Sequence, residues 1–187
     1  MTQETDNRAF IHRIDREGLL CFVNDAWLAF ADENGWRTST AQVLGTPLMS
    51  QIADPETRHI YRLLISRTCD TGRTARFCYR CDSPHLRRFM EMEISERPQG
   101  QIEFRSRVLR LERRAPIAVL DTALRERSGE ILEICSWCKA VCAQPVWLEL
   151  EEAVQRLEIL AEGSLPQLSH GICPTCSARL VRAGGLH

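Results

Sequence analysis

Two pairs of cysteines in the last third of the chain have the residue type and spacing of a metal site. Cys135 and Cys138 form one Cys-x-x-Cys unit, and Cys173 and Cys176 form a second. Zinc prefers thiolate and imidazole ligands arranged as a tetrahedron, and each Cys-x-x-Cys turn places two sulfurs on one side of the ion. The sequence therefore predicts a structural zinc site closed by these four cysteines.

Two nearby residues are alternative ligands. His170 lies three residues before Cys173, so it could replace one sulfur or could hydrogen-bond to the site from outside it. We expect the outer role, because four thiolates already complete the coordination. Cys142 is expected to be a buried small apolar residue and not a ligand.

The same cysteines could instead form a redox switch. Thioredoxin-like Cys-x-x-Cys units lie at a strand-to-helix turn inside a βαβ unit, and the sequence does not predict such a unit around Cys135. Oxidation that expels zinc stays open as an alternative.

Cys78 and Cys81 have the same Cys-x-x-Cys spacing, but they lie in an alternating strand pattern in which residues three apart point to opposite faces. We therefore do not expect them to bind metal. His59 is not expected to bind haem, and no Asn-Cys-Arg type motif for flavin is present. Haem and flavin are not expected.

Alternation between apolar and polar residues predicts five strands upstream of the cysteine pairs. In the first strand Phe10, His12 and Ile14 alternate with polar neighbours, and a turn signal at residues 15–18 predicts a hairpin with the second strand. The three later strands are expected near residues 75–81, 90–94 and 102–105.

Helices are predicted between the second and third strands. Asn24 can cap a helix that carries Trp27 and Phe30 on its apolar face. Asp54 and Pro55 begin a longer helix, which ends at Gly72.

This order resembles that of a PAS domain. The resemblance is carried by residues 14–18, 23–27 and 71–73, together with residues 80–84 and 87–90, and it covers residues 8–114. It implies an α+β fold with a five-stranded antiparallel sheet and flanking helices. It also implies that the space between helices and sheet holds either a small apolar ligand or a packed core, lined by Trp27, Phe30, Leu63, Leu64, Phe77, Tyr79, Met90, Met92 and Phe104.

Residues 115–131 are expected to be a linker or output helix, because Ile117, Leu120 and Leu124 have helical spacing. Residues 132–187 are expected to form the zinc module. A single helix with the stripe Trp147, Leu150, Val154, Leu157 and Ala161 should bridge the two cysteine pairs.

The second half also resembles a small carboxyl-terminal module found on bacterial PAS sensors, histidine kinases and response regulators. Residues 134–139, Trp147 with Glu151, and residues 169–176 carry this resemblance. It implies a signalling context and a protein partner, and PAS domains or their linkers often mediate homodimers.

The balanced net charge does not favour a protein that binds nucleic acid or anionic lipid through its overall charge. The chain has 24 basic and 25 acidic side chains, so no net positive charge would attract these partners. Its last predicted strand carries an arginine cluster interleaved with Glu103 and Glu112, which favours a solvated face: Arg105, Arg107, Arg110, Arg113 and Arg114. A nucleic-acid-binding regulator that depends on zinc is an alternative, but nucleic acid is not expected as the main partner.

No apolar run approaches the roughly 18 residues of a membrane span, and the polar start of the chain lacks a secretory pattern, so a cytoplasmic protein is expected. No catalytic motif was found, so an enzyme is not expected. The sequence predicts a bacterial regulatory protein that senses a small ligand or redox state through a PAS-like domain and relays it through the zinc module to a protein partner.

Overall fold

The first half of the chain folds as a five-stranded antiparallel sheet with helices on one face. The computed structural model describes residues 6–52, 54–121, 127–157 and 164–183. The strands are β1 (Ala9–Ile14), β2 (Leu20–Val23), β3 (Ala75–Arg80), β4 (Leu86–Arg97) and β5 (Gln101–Arg113), in the order β2-β1-β5-β4-β3. The predicted five-stranded antiparallel sheet is therefore present.

Three α-helices lie between β2 and β3: α1 (Asp25–Glu33), α2 (Thr40–Val43) and α3 (Pro55–Thr71). Short 3-10 turns are formed by Leu48–Gln51, Pro98–Gly100 and Ala118–Leu120. Thus two strands, short helices, a long helix and three strands follow one another as the sequence predicts.

Local hydrogen bonds set the ends of these elements. Asn24 caps α1 by accepting a bond from the Trp27 amide at 2.9 Å, and Asp54 caps α3 by accepting from the Thr57 amide at 2.8 Å. Gly72 ends α3 with a φ of 64°, a left-handed conformation that glycine adopts without steric cost.

One face of this sheet is buried against α3. In β4, Met90, Met92 and Ile94 are almost completely buried, and Phe104 from β5 is fully buried beside them. Phe77 of β3 pairs with Met92 across the sheet. Phe77, Met92, Ile94 and Phe104 belong to the main hydrophobic core, whereas Met90 packs in a second cluster with Phe10 and Val108.

The second half contains a mixed sheet of its own. Its strands are β6 (Arg127–Cys135), β7 (Val141–Ala143), β8 (Val146–Leu148) and β9 (Leu165–Gly171), in the order β8-β7-β6-β9 with β6 and β9 parallel. Helices α4 (Leu150–Arg156) and α5 (Pro174–Ala183) follow β8 and β9. This sheet was not predicted.

The predicted bridging helix is shorter than its stripe suggests. Trp147 lies in β8, where it pairs with Cys142 of β7 in a hairpin, and only residues 150–156 are helical. Leu157 forms the carboxyl-terminal cap of α4, and Ala161 lies outside the described residues. The helical spacing predicted too long a helix, because Trp147 at the start of the stripe pairs with β7 in a hairpin.

The predicted output helix at residues 115–131 is also not formed by the residues that the structure describes. Leu124 lies within the gap at 122–126, residues 118–120 form one 3-10 turn, and Arg127 begins β6. The Arg127 guanidinium donates hydrogen bonds to the carbonyls of Val119, Asp121 and Pro166. This segment is therefore packed against the second sheet.

The two halves share one core. The buried cluster around Phe104 continues into Cys135 and Trp137 of the second half. The amide of Arg80 in β3 donates a 2.6 Å hydrogen bond to the carbonyl of Trp137. The cysteine module, which comprises the described residues 127–157 and 164–183, therefore contacts the open β3 edge of the first sheet. None of the helices in the described ranges is long and apolar enough to cross a membrane.

Candidate metal centre

The first cysteine turn begins at the end of β6. The Cys135 amide donates to the Ala140 carbonyl at 2.7 Å, and the Lys139 amide donates to the Cys135 carbonyl at 3.0 Å. Lys139 has a φ of 64°, an uncommon conformation for a residue with a side chain. The turn therefore closes tightly and holds Cys138 beside Cys135.

The second cysteine turn joins β9 to α5. Because β6 and β9 are parallel and Cys135 pairs with Gly171, the end of β9 lies beside the first turn. The Ser136 amide donates to the Gly171 carbonyl at 2.9 Å. Pro174 then begins α5, with Cys173 and Cys176 on either side of it.

The four sulfur atoms have the separation of a tetrahedral thiolate site. All of them lie within 4.8 Å of one another, and the Sγ atoms of Cys138 and Cys173 are 3.7 Å apart. Ligands at the usual zinc–sulfur distance of about 2.3 Å in a tetrahedron are separated by about 3.8 Å. The predicted set of four cysteines therefore forms one cluster that fits a metal ion such as zinc.

Backbone amides point at the sulfurs. The Cys173 amide donates to the Sγ of Cys135, and the Cys176 amide donates to the Sγ of Cys173, each at 3.4 Å. Such bonds stabilise thiolates. Three of the cysteines are buried and Cys138 is half-buried, so bulk water is largely kept from the cluster.

The thiols of the cluster strongly affect one another's protonation. Hydrogen bonds from the Cys138 and Cys176 side chains lower the pKa of Cys135 far below its usual value. The same contact with Cys135 raises the pKa of Cys138 to about 12 and raises that of Cys176 still further. The thiols therefore do not ionise independently, and a positive ion among them would stabilise their thiolate forms.

The alternative ligands lie outside the cluster. His170 is an exposed residue of β9, and among the described residues it is not part of the four-sulfur group. Cys142 is half-buried in β7, and Cys78 is exposed in β3. His59 is exposed on α3, whereas Tyr61 packs between Phe104 and Trp137.

The nine residues predicted to line a PAS pocket are distributed between the core and several surface cavities. Leu64, Met90 and Phe104 are fully buried. Trp27 and Phe30 line one cavity of the described surface, Leu63 lines another, and Phe77 and Tyr79 line a third. The helix–sheet space around the fully buried residues is thus occupied by side chains.

The structure also shows a polar cluster that sequence reasoning missed. Asp82 has no exposed side-chain surface and bonds to Arg80 and Arg114. Arg80 reaches Glu149, which precedes α4, at 2.7 Å, and Arg114 reaches Glu151 in the first turn of α4 at 2.8 Å. These ion pairs therefore connect the first sheet to the second half.

A second missed residue is His12. Its ring stacks on Phe104 with 4.6 Å between centroids, and its Nε2 is buried without a hydrogen-bond partner among the described residues. Burial lowers the pKa of His12 to about 4. The alternation of His12 with Phe10 and Ile14 was the sequence signal that it faces inward.

The arginine cluster of β5 is engaged within the chain. Arg107 pairs with Glu91 at 2.7 Å and Arg110 with Glu112 at 3.3 Å. Arg105 lies 3.8 Å from Glu103, and Arg113 also makes an interaction. These pairs reduce the charge available for a nucleic acid.

No known protein-family model matches this sequence, and no curated protein matches it significantly.

Proposed function

We propose that the chain is a signalling regulator in which a PAS-like sensing domain and a structural zinc module act as one unit on a protein partner. The PAS-like domain corresponds to residues 8–114. Its support is the element order together with the five-stranded antiparallel sheet, which matches the organisation implied by the sequence resemblance.

The chemistry of the donor set supports a structural role for zinc. Four thiolates complete a tetrahedron and leave no open position for a water, whereas catalytic zinc sites keep one. Cys135 and Cys138 would hold the ion from the first turn, and Cys173 and Cys176 from the second. The ion would fix β6, β9 and α5 relative to one another.

The observation that carries the proposal is the position of Trp137 between the two cysteines of the first turn. Its side chain is 4% exposed, and its ring centroid lies 6.2 Å from that of Tyr61 on α3. Its carbonyl accepts the hydrogen bond from Arg80 of β3. A change in the position of α3 or β3 would therefore be transmitted directly to the metal module.

Native mass spectrometry of the full chain tests the metal and reports any retained ligand and dimer at the same time. We expect one zinc ion per chain in the unaltered protein and none after Cys135→Ser. Cys78→Ser is the matched control, because Cys78 is exposed and lies outside the cluster, and it should keep the zinc. A chain that holds no zinc, or a Cys135→Ser variant that keeps it at full occupancy, would contradict the proposal.

Hydrogen exchange of the full chain tests the coupling. Chelation of zinc should accelerate exchange in β6 and β9 and also in β3, whose edge contacts the first cysteine turn. Acceleration confined to residues 127–183 would show that the module does not communicate with the sensing domain, even if zinc is bound.

One observation favours a redox switch as a second candidate. Cys138 is only half-buried and, with Cys176, lines a surface cleft through which an oxidant can approach. Two thiolates would give two electrons to peroxide, form a disulfide and release zinc, while the peroxide is reduced to water. Zinc content that is unchanged after peroxide treatment would exclude this use.

A further inference from the structure

A cleft lies where the first sheet meets the cysteine module, between β3 and α5. Its volume is about 390 Å³, which falls within the range of small-molecule sites, about 300–1,000 Å³. Phe77, Phe89, Trp137 and Leu180 contribute apolar and aromatic surface. Phe77 and Tyr79, two of the nine residues predicted to line a PAS pocket, also line this cleft, but no described residue of α3 does, so it opens at the β3 edge and not between α3 and the sheet.

Three arginines line the cleft, together with Glu149 and the proposed metal ligands Cys138 and Cys176: Arg80, Arg87 and Arg179. Arg80 and Arg87 are bound by acidic residues, Arg80 by Asp82 and Glu149 and Arg87 by Glu112 and Glu151. Arg179 of α5 is different: it is exposed and has no hydrogen bond or ion pair with any residue in the described part of the chain. The cleft therefore offers one uncommitted guanidinium beside an apolar wall.

The cleft also contains part of an open sheet edge. The Arg80 amide faces away from β4, because it donates to the Trp137 carbonyl. Successive residues of an antiparallel strand face opposite edges, so the amide of Cys78, two residues earlier, faces the same open edge. Cys78 lines the cleft, and its backbone supplies a second polar group there.

The width of the cleft excludes an added peptide strand. Cα atoms of α5 approach those of β3 within 8 Å. A peptide strand inserted beside β3 would lie about 4.8 Å from it and would need its own packing distance from the helix. The occupant must therefore be smaller than a peptide strand.

We propose that this cleft binds a small aromatic carboxylate. Its ring would pack against Phe77, Trp137 and Leu180, which line the cleft from the core side, and its carboxylate would accept hydrogen bonds from Arg179. Guanidinium and carboxylate groups match in geometry and form charge-assisted bonds, while aromatic walls suit a planar ring. Because the cleft is lined by both β3 and α5, such a ligand would bridge the sensing sheet and the metal module.

The test is isothermal titration calorimetry of the zinc-loaded full chain with 2-naphthoate as the probe. We expect saturable binding at one site per chain. 2-Naphthamide has nearly the same shape without the charge, so it should bind about tenfold more weakly, as expected for loss of a charge-assisted hydrogen bond.

Two substitutions on the same helix locate the site. Arg179→Gln should weaken naphthoate binding about tenfold, whereas Arg182→Gln is the matched control and should leave it unchanged. Arg182 is exposed on α5, bonds to the Ala178 carbonyl at 3.2 Å and does not line the cleft. Circular dichroism should show that both variants remain folded.

Three results would overturn the assignment: no saturable binding of naphthoate, equal binding by the Arg179→Gln chain, or equal binding of naphthamide. Zinc content is measured on the same samples. Loss of naphthoate binding in chains that retain zinc would refute the cleft and leave the proposed metal module intact.

Discussion

Asp82 is the residue whose replacement should most clearly reveal the ion-pair connection between the two halves. Its carboxylate is fully buried and accepts hydrogen bonds from the Arg80 side chain, from Arg114 at 3.1 Å and from the Arg88 amide at 3.3 Å. In Asp82→Asn an amide group replaces one oxygen and faces guanidinium donors, so Arg80 and Arg114 lose their shared counter-charge.

Removing one member of a buried ion pair costs about 3–5 kcal/mol. Arg80 and Arg114 keep the partly exposed Glu149 and Glu151, so we expect a loss near the lower limit, about 3 kcal/mol in the free energy of unfolding. With a urea m value of about 2 kcal/mol per molar, the midpoint should fall by about 1.5 M.

Urea unfolding of the zinc-loaded chain, followed by tryptophan fluorescence and circular dichroism, measures this change. Glu93→Gln is the matched control, because its pair with Arg76 lies at the surface with side chains 28% and 59% exposed. Exposed pairs contribute at most about 1 kcal/mol. If Asp82→Asn destabilises the chain no more than Glu93→Gln does, Asp82 does not stabilise the two arginines that reach the second half.

Three further predictions follow from the same contacts. Trp137→Ala should lower the free energy of unfolding by about 3–5 kcal/mol in urea denaturation, whereas Trp36→Ala, at a side chain 42% exposed, should change it by less than about 1 kcal/mol. Chelation of zinc should lower the calorimetric denaturation temperature by about 10 °C or more, because metal binding free energy is coupled to folding, and a temperature unaffected by chelation would contradict a structural metal. Burial lowers the pKa of His12 to about 4 in the folded chain, so the unfolded chain binds a proton at this residue at a higher pH. Neutral His12 therefore contributes fully to the free energy of unfolding above about pH 6.5, and up to about 3 kcal/mol of it is lost as the pH falls toward 4. His12→Phe should remove this part of the pH dependence in unfolding titrations at pH 4 to 7, and a slope identical to that of the unaltered chain would refute the role of His12.

Much of the first sheet could be predicted because its signals are local. Asn24 and Asp54 cap helices through hydrogen bonds to residues two or three positions away, and the alternation of apolar and polar residues in a strand predicts which side chains face inward. The pairing of strands that are distant in the sequence has no such local pattern. The stripe from Trp147 has helical spacing, but Trp147 pairs with Cys142 in a hairpin, and the preference for that hairpin comes from its contacts with the rest of the second sheet.

The sequence by itself identified the four cysteines that could bind a metal ion, because a Cys-x-x-Cys turn is local and thiolates are preferred ligands of ions such as zinc. Only the tertiary structure decided where that group lies. The parallel pairing of β6 with β9 brings the two turns together, and burial of Trp137 places them against β3. Asp82 accepts a hydrogen bond from Arg114, which lies 32 positions later in the chain. Such a contact depends on the packing of many residues that are distant in the sequence, so no local pattern predicts it.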